Sequence, residues 1–206
     1  MILVYLVATL LFADRGKIES ADLLFQDLDC GPMCDAIEEV TQGHNGHHFS
    51  HVAIALDAKN AVEAIGKEVS IVKIADFLQR TLDKNQKPKV AVGKIPFLSK
   101  EDRQRILKYT LGKLKTPYDD VFSLGEEKLY CSELVYFAYQ KDKPLFTLNK
   151  MTFKKPGENN FYPVWVNYFK NLKVIIPEGE LGINPGSISR DRQVIMTYPF
   201  GEISRQ

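Results

Sequence analysis

The sequence predicts an α+β domain, and three observations carry that prediction. Its middle holds a series of short apolar runs separated by turn residues, the pattern of antiparallel strands. A capped helix signal begins at Ser99, and a second, almost wholly apolar helix signal opens at Cys131. Strands grouped between helices, without a regular β-α alternation, point to an antiparallel sheet covered by helices.

The elements follow in chain order. Residues 1–13, MILVYLVATLLFA, carry no charge, and the first charge is Asp14. An apolar stretch ending in a small residue has the character of a secretory signal, so residues 1–13 are expected to be a signal peptide. Residues 14–206 are then expected to form one domain. No Lys or Arg precedes the run, and Leu11 stands two positions before Ala13 where a small residue is usual, so an N-terminal core helix or strand is the alternative. The run is too short for a membrane-spanning helix, which needs roughly 20 residues.

ADLLF, residues 21–25, reads as a strand. Pro32 to Val40 reads as a short helix with Met33, Ile37 and Val40 on one face. HVAIAL, residues 51–56, and AVEAI, residues 61–65, are strand-like and are joined by Asp57-Ala58-Lys59-Asn60, which has turn chemistry. Residues 69–74 offer another β-branched run. KVAVGKI, residues 89–95, alternates and is therefore expected to be half-buried. Ser99 with Asp102 three residues on forms a capping box for a helix starting near Lys100. Ile106, Leu107, Leu111 and Leu114 supply its apolar stripe, and Pro117 is expected to end it. The helix opening near Cys131 turns Leu134, Val135 and Ala138 inward. Residues 177–186 are dense in Pro and Gly and read as irregular, and VIMTY, residues 194–198, reads as a terminal strand.

Composition narrows the function classes. Among 206 residues, 27 Lys+Arg face 26 Asp+Glu, a net charge of +1, which argues against a nucleic-acid partner. The three cysteines are too few for a disulfide scaffold and leave at least one thiol unpaired. Cys30 and Cys34 either close a small disulfide in an oxidising compartment or stand as two reduced core thiols.

Cys131 sits where a helix begins, in YCSELV. Unbonded N–H groups at a helix N-terminus favour negative charge, which promotes the thiolate and supplies donors for an oxyanion. The bland reading is a buried, inert cysteine. A nucleophilic thiolate needs a basic partner, and that base needs an orienting acceptor. His51 opens the strand HVAIAL and shares a face with Ala53 and Ala55, small residues that leave room for a ring. If the following turn pairs Leu56 with Asn60, Glu63 falls opposite Ala53 and diagonal to His51. A slip of one residue would move Glu63 to the other face.

With these residues in hand, the chain resembles the circularly permuted branch of the NlpC-type papain-like cysteine hydrolases, in particular the YiiX/YebB-like family. The likeness rests on ADLLF, FSHVAIAL, AVEAIG, TPYDDVF, YCSELVY and the later INPGSISRD, and covers most of residues 21–139. It implies a permuted papain-like fold, a half-open antiparallel β-barrel packed against the Cys-bearing helix. It also implies Cys131 as nucleophile, His51 as base and Glu63 as the residue orienting the base. The Cys131 N–H is a candidate oxyanion donor; Tyr118 and Tyr130 are candidates to add a hydroxyl, but are expected mainly to be core or rim residues.

The expected function is therefore an exported thiol hydrolase, periplasmic or secreted, cleaving a peptide-like or cell-wall-derived amide or an ester through a thioester. Its partner would be a small-molecule, peptide-like or acyl substrate, with no cofactor. Two other readings compete: a thiol acyltransferase acting on lipid or amine acceptors, and a non-catalytic module binding a metal or a cell-wall ligand. His44, His47 and His48, on a Gly- and Asn-containing loop, are expected to line the entrance or to be solvated; with Cys30 and Cys34 they are also the metal-binding candidates. The aromatics Phe153, Phe161, Tyr162, Trp165, Tyr168 and Phe169 are expected mainly to pack, with an acyl-binding wall as the alternative.

Overall fold

The computed structural model describes residues 17–198 and 200. The expected signal segment, residues 1–13, lies outside them. Six antiparallel strands form the main sheet: β1 (Leu23–Gln26), β2 (His51–Ala55), β3 (Asn60–Ile65), β4 (Glu68–Lys73), β5 (Val90–Lys94) and β8 (Ile195–Thr197), in the order β4-β3-β2-β1-β5-β8. Around it lie α1 (Pro32–Val40), α2 (Ile74–Gln79), α3 (Lys100–Gly112), α4 (Cys131–Ala138), α5 (Pro163–Leu172) and α6 (Pro185–Ser189). A two-stranded ribbon, β6 (Asn149–Lys150) with β7 (Leu181–Gly182), completes the described fold. The sheet does not close. The Lys115–Tyr118 segment instead covers the edge of β4, with the Val69 N–H donating to the Thr116 carbonyl at 2.9 Å and the Tyr118 N–H to the Lys67 carbonyl at 2.8 Å.

The side chains on the two sheet faces alternate as a pleated strand requires. One face carries Leu23, Phe25, Val52, Ile54, Val62 and Ala91 against Leu134, Val135 and Ala138 of α4 and Ile106 of α3. The other carries Leu24, Ala53, Ala55, Ala61, Val90 and Val92 against Ile74 and Phe77 of α2. Both faces of β5 are therefore covered, and Val90, Ala91 and Val92 are fully buried. The half-buried strand expected from its alternation is corrected: Ala91 and Gly93 alternate with Val90 and Val92, but each face meets apolar neighbours. A third cluster joins α1 to α5 through Ala36, Phe153, Tyr162, Trp165 and Phe169.

Two helices differ from expectation. The Ser99–Asp102 capping box is present, but α3 ends at Gly112, five residues before Pro117, whose bridge to Glu68 belongs to the strap along β4. Its buried face runs through Ile106 and Thr110, while Leu111 is exposed. The Thr110 hydroxyl satisfies itself by donating to the Ile106 carbonyl at 2.8 Å, which lets a polar residue replace a leucine in the stripe. Residue 74 does not extend β4; Ile74 begins α2 and packs under the second face.

Cys30 and Cys34 form a disulfide that ties the start of α1 to the loop before it. Cys131 is the free cysteine.

Candidate active site

The turn after β2 sets the hairpin register. Asp57 Oδ1 accepts the N–H groups of Lys59 and Asn60 at 2.6 and 2.8 Å, the side-chain turn that short polar residues favour. The Leu56 N–H then donates to the Asn60 carbonyl at 2.8 Å. Ile54 pairs with Val62 and Ala55 with Ala61, a register that sets Glu63 across from Ala53 and diagonal to His51. His51 Nε2 and Glu63 Oε2 are 2.7 Å apart. Both residues are buried, 3% and 2% exposed.

Beyond Ile54 the paired ladder between β2 and β3 stops. The edge of β2 freed in this way receives α4. The Val52 N–H is directed at the Cys131 thiol, and the thiol and the His51 imidazole are within hydrogen-bonding reach. Because Glu63 holds Nε2, Nδ1 is the ring nitrogen left for the sulfur. The helix is fixed at both ends. Tyr130 Oη accepts the Ile183 N–H at 3.1 Å, Ser132 Oγ donates to the Ile183 carbonyl at 2.9 Å, and Tyr139 Oη donates to the Ala21 carbonyl at 2.8 Å. Arg105 Nη1 donates to the Ala138 carbonyl at 3.1 Å, satisfying the helix C-terminus.

Burial opposes charge at every member of this group, and the neighbours reverse the balance. Burial alone would raise the Cys131 pKa, but the hydrogen bond and charge of His51 bring it below the ordinary thiol value. Burial alone would lower that of His51, but Cys131 and Glu63 push it up to about 9. Glu63 is pulled down to about 2 because Arg80 and His51 outweigh its desolvation. The arrangement favours thiolate beside imidazolium, the pair in which a nucleophile is already activated. Glu133, two residues along α4, behaves oppositely. Burial, reinforced by Asp119, raises it to about 8, and its Oε1 accepts the Gly125 N–H of the preceding loop at 2.8 Å.

A cavity of about 120 Å³ opens beside the sulfur. Tyr118, Phe122, Met151, Phe153 and Trp165 line it together with Ile37 and Val40 of α1. Phe122 has φ 57, a conformation costly for a bulky residue. Its ring is held by Tyr130 at 5.5 Å and Trp165 at 5.8 Å between centroids. The aromatic stretch thus packs, as expected, and its inner edge also forms the cavity wall. The loop histidines do not line this cavity. His44 Nδ1 lies 2.7 Å from Tyr198 Oη, the His47 ring is tilted against the Tyr198 ring with centroids 4.6 Å apart, and His48 Nδ1 lies 3.1 Å from Glu38 Oε2. His47 is buried, while His44 and His48 are half-buried and keep some contact with solvent.

The sequence compares as the geometry suggests. Residues 17–196 match the family model of the permuted papain-like amidase enzymes, the YaeF/YiiX, C92 family of peptidases. The chain belongs to this family. It is accordingly a papain-like cysteine hydrolase in general class. No curated protein matches it. Among solved structures, the fold is similar to one described as the metalloprotein YiiX from Escherichia coli O157:H7. The two share 22% identity with a TM-score of 0.70, over 88% of this chain and 97% of that one. In the present chain no group of three or more His, Cys, Asp or Glu among the described residues is placed to hold a metal ion. Cys30 and Cys34 are bonded to each other, and both oxygens of Glu63 face Arg80. No described helix is long and apolar enough to cross a membrane.

The sequence reading did not find Arg80. It follows a helix of six residues and meets Glu63 only through the packing of α2 against the second face of the sheet. An arginine two positions after an apolar Phe77-Leu78 pair carries no signal by itself.

Proposed function

We propose that the protein hydrolyses an amide bond through a Cys131 thiolate, with His51 as the proton-transfer residue and Glu63 orienting it. The observation that carries this reading is the Cys131–His51–Glu63 relay at the mouth of an apolar cavity. Cys131 Sγ attacks the substrate carbonyl, and His51 passes its Nδ1 proton to the departing amine. The acyl group is left as a thioester. His51 then takes a proton from water as it attacks the thioester, and the thiolate leaves as the acid forms. The negative carbonyl oxygen of each tetrahedral state is received by the Cys131 N–H at the helix start. Both tyrosines line the cavity; Tyr130 Oη is tethered to the Ile183 N–H, which it accepts at 3.1 Å, and Tyr118, which faces Cys131, is taken as the second donor. Tyr118→Phe is expected to lower kcat about 10²-fold while leaving alkylation of the thiol unchanged.

The cavity wall favours substrates with an apolar acyl group, since its largest surfaces are aromatic rings and Met151. The Cys30–Cys34 disulfide supports an exported location, where such bonds persist. Water is the simplest acceptor, and hydrolysis is preferred to acyl transfer for that reason; added amines that divert the acyl product would reverse the preference.

The test is iodoacetamide alkylation of the intact protein followed by peptide mass mapping, together with hydrolysis of N-acyl amides of increasing chain length. Cys131 should react near neutral pH far faster than a free thiol of pKa about 8.5. Cys131→Ala should abolish both alkylation at that site and hydrolysis. A Cys131 that reacts no faster than a free thiol would sink the reading.

A further inference from the structure

Arg80 holds Glu63 by both arms of its guanidinium. Nη1 donates to Oε2 at 2.9 Å and Nη2 to Oε1 at 2.6 Å. The Oε2 atom that receives Nη1 is the one that also accepts from His51 Nε2 at 2.7 Å. The fork is itself held in place. Arg80 lies over the Phe77 ring, 5.3 Å from its centroid, and the same ring tilts against the His51 imidazole at 6.0 Å. Arg80 Nη1 also reaches Gln26 Oε1 at 3.5 Å, and Gln26 is fully buried, its amide donating to the Phe77 carbonyl at 2.9 Å.

We propose that Arg80 is a positioning residue for the thiol–imidazole pair, keeping the Glu63 carboxylate ionised and fixed so that the proton stays on His51 Nε2 and Nδ1 faces Cys131. The proposal rests on the Cys131–His51 reading above and extends it one residue outward. A buried carboxylate without a cation is costly and tends to take up a proton. A protonated Glu63 would offer an O–H to Nε2, move the ring proton to Nδ1 and remove the base from the side that faces the thiol. A bidentate arginine prevents this in two ways: its charge holds Glu63 ionised, and its planar fork fixes both oxygens.

The sign of the effect follows from charge alone. The titratable groups on His51 are Cys131 from α4 and Glu63 from β3, and Tyr118 faces Cys131 from the strap beside β4. Removing a nearby cation raises the pKa of each of them, because every protonated form is then favoured. Loss of packing alone would change how much thiol reacts, not the pH at which it does so.

Iodoacetamide alkylation of Cys131 is followed from pH 4 to 10 in the wild type, Arg80→Met and Arg80→Lys. The His51 imidazole is titrated by NMR in Cys131→Ala with and without Arg80→Met. Arg80→Met should shift both titrations upward by about one pH unit. Arg80→Lys should restore their position, while amide hydrolysis stays several-fold below wild type because one ammonium cannot fix two oxygens. Arg80→Gln, which keeps hydrogen bonds without charge, replaces Arg80→Met if the latter does not fold. Unmoved titrations in the uncharged variants overturn the proposal, as does a Lys variant that shifts as far as they do. A wild-type Cys131 that is not activated at all would count against the parent reading; an activated Cys131 indifferent to Arg80 counts against Arg80 alone.

Discussion

His51→Ala should lower amide hydrolysis by about 10³-fold or more while the protein remains folded. The loss is large because two supports disappear together. The proton for the departing amine has no carrier, and an imidazole merely held in the wrong tautomer in a comparable triad already costs about 10⁴-fold. The thiol also loses its partner. Burial then acts on Cys131 against only the Val52 N–H and Ser132, so its pKa rises and the thiolate fraction near neutral pH falls. Folding should survive because the carboxylate left behind is not orphaned: Arg80 still bonds both Glu63 oxygens. Initial rates, iodoacetamide alkylation and a thermal melt, measured on the same preparation, check the three parts separately. Undiminished alkylation in a folded His51→Ala would show that the helix N-terminus, not the imidazole, activates the thiol.

That site was legible where its position depends on local chemistry. The Asp57-to-Asn60 turn fixes the hairpin, and the hairpin brings Glu63 to His51; both steps can be read from about ten consecutive residues. Cys131 is legible because a helix start is a sequence signal and its partners had to be sought elsewhere. Arg80 was not legible. Its approach to Glu63 depends on α2, a helix too short and too weakly capped to announce itself, folding back across the second face of the sheet. The cavity was legible only in part. The aromatic residues are plain in the sequence, but whether their edges face a void depends on the angle between α1 and α5, which packing sets. The misjudged stripe of α3 has a similar origin: Thr110 replaces an apolar residue at no cost because its hydroxyl bonds within the helix.

The second large effect concerns stability and is expected to follow pH through the His51–Glu63 pair. In the folded protein Glu63 titrates at about 2, against about 4.3 for an unfolded chain. A depressed acid contributes stability that is fully present above the unfolded value and is lost as pH falls toward the folded one. His51 is raised to about 9 from about 6.5. A raised base contributes stability that is fully present below 6.5 and is lost as pH rises through about 9. The pair therefore contributes most between about pH 4.5 and 6.5. Each shift is equivalent to about 3 kcal/mol, and because they share one hydrogen bond they count once. In the wild type the thiolate supports the imidazolium as well, so the alkaline limb belongs to Cys131 and Glu63 jointly. Glu63→Ala removes the acceptor and leaves a guanidinium, half shielded from water, beside a buried imidazole. Breaking a buried pair in this way costs about 3–5 kcal/mol. Glu63→Gln keeps the shape and should cost less, but it cannot titrate, so the acid limb assigned to Glu63 should vanish from it. Urea unfolding at intervals from pH 3 to 10 tests this through the wild-type-minus-Gln difference, in which titrating groups remote from Glu63 cancel while the coupled change at His51 remains in the alkaline limb. That difference should be largest near pH 5 to 6 and shrink toward pH 3. A difference constant with pH would mean that the Glu63 carboxylate is not held ionised by its neighbours, and the electrostatic account of the relay would fail with it.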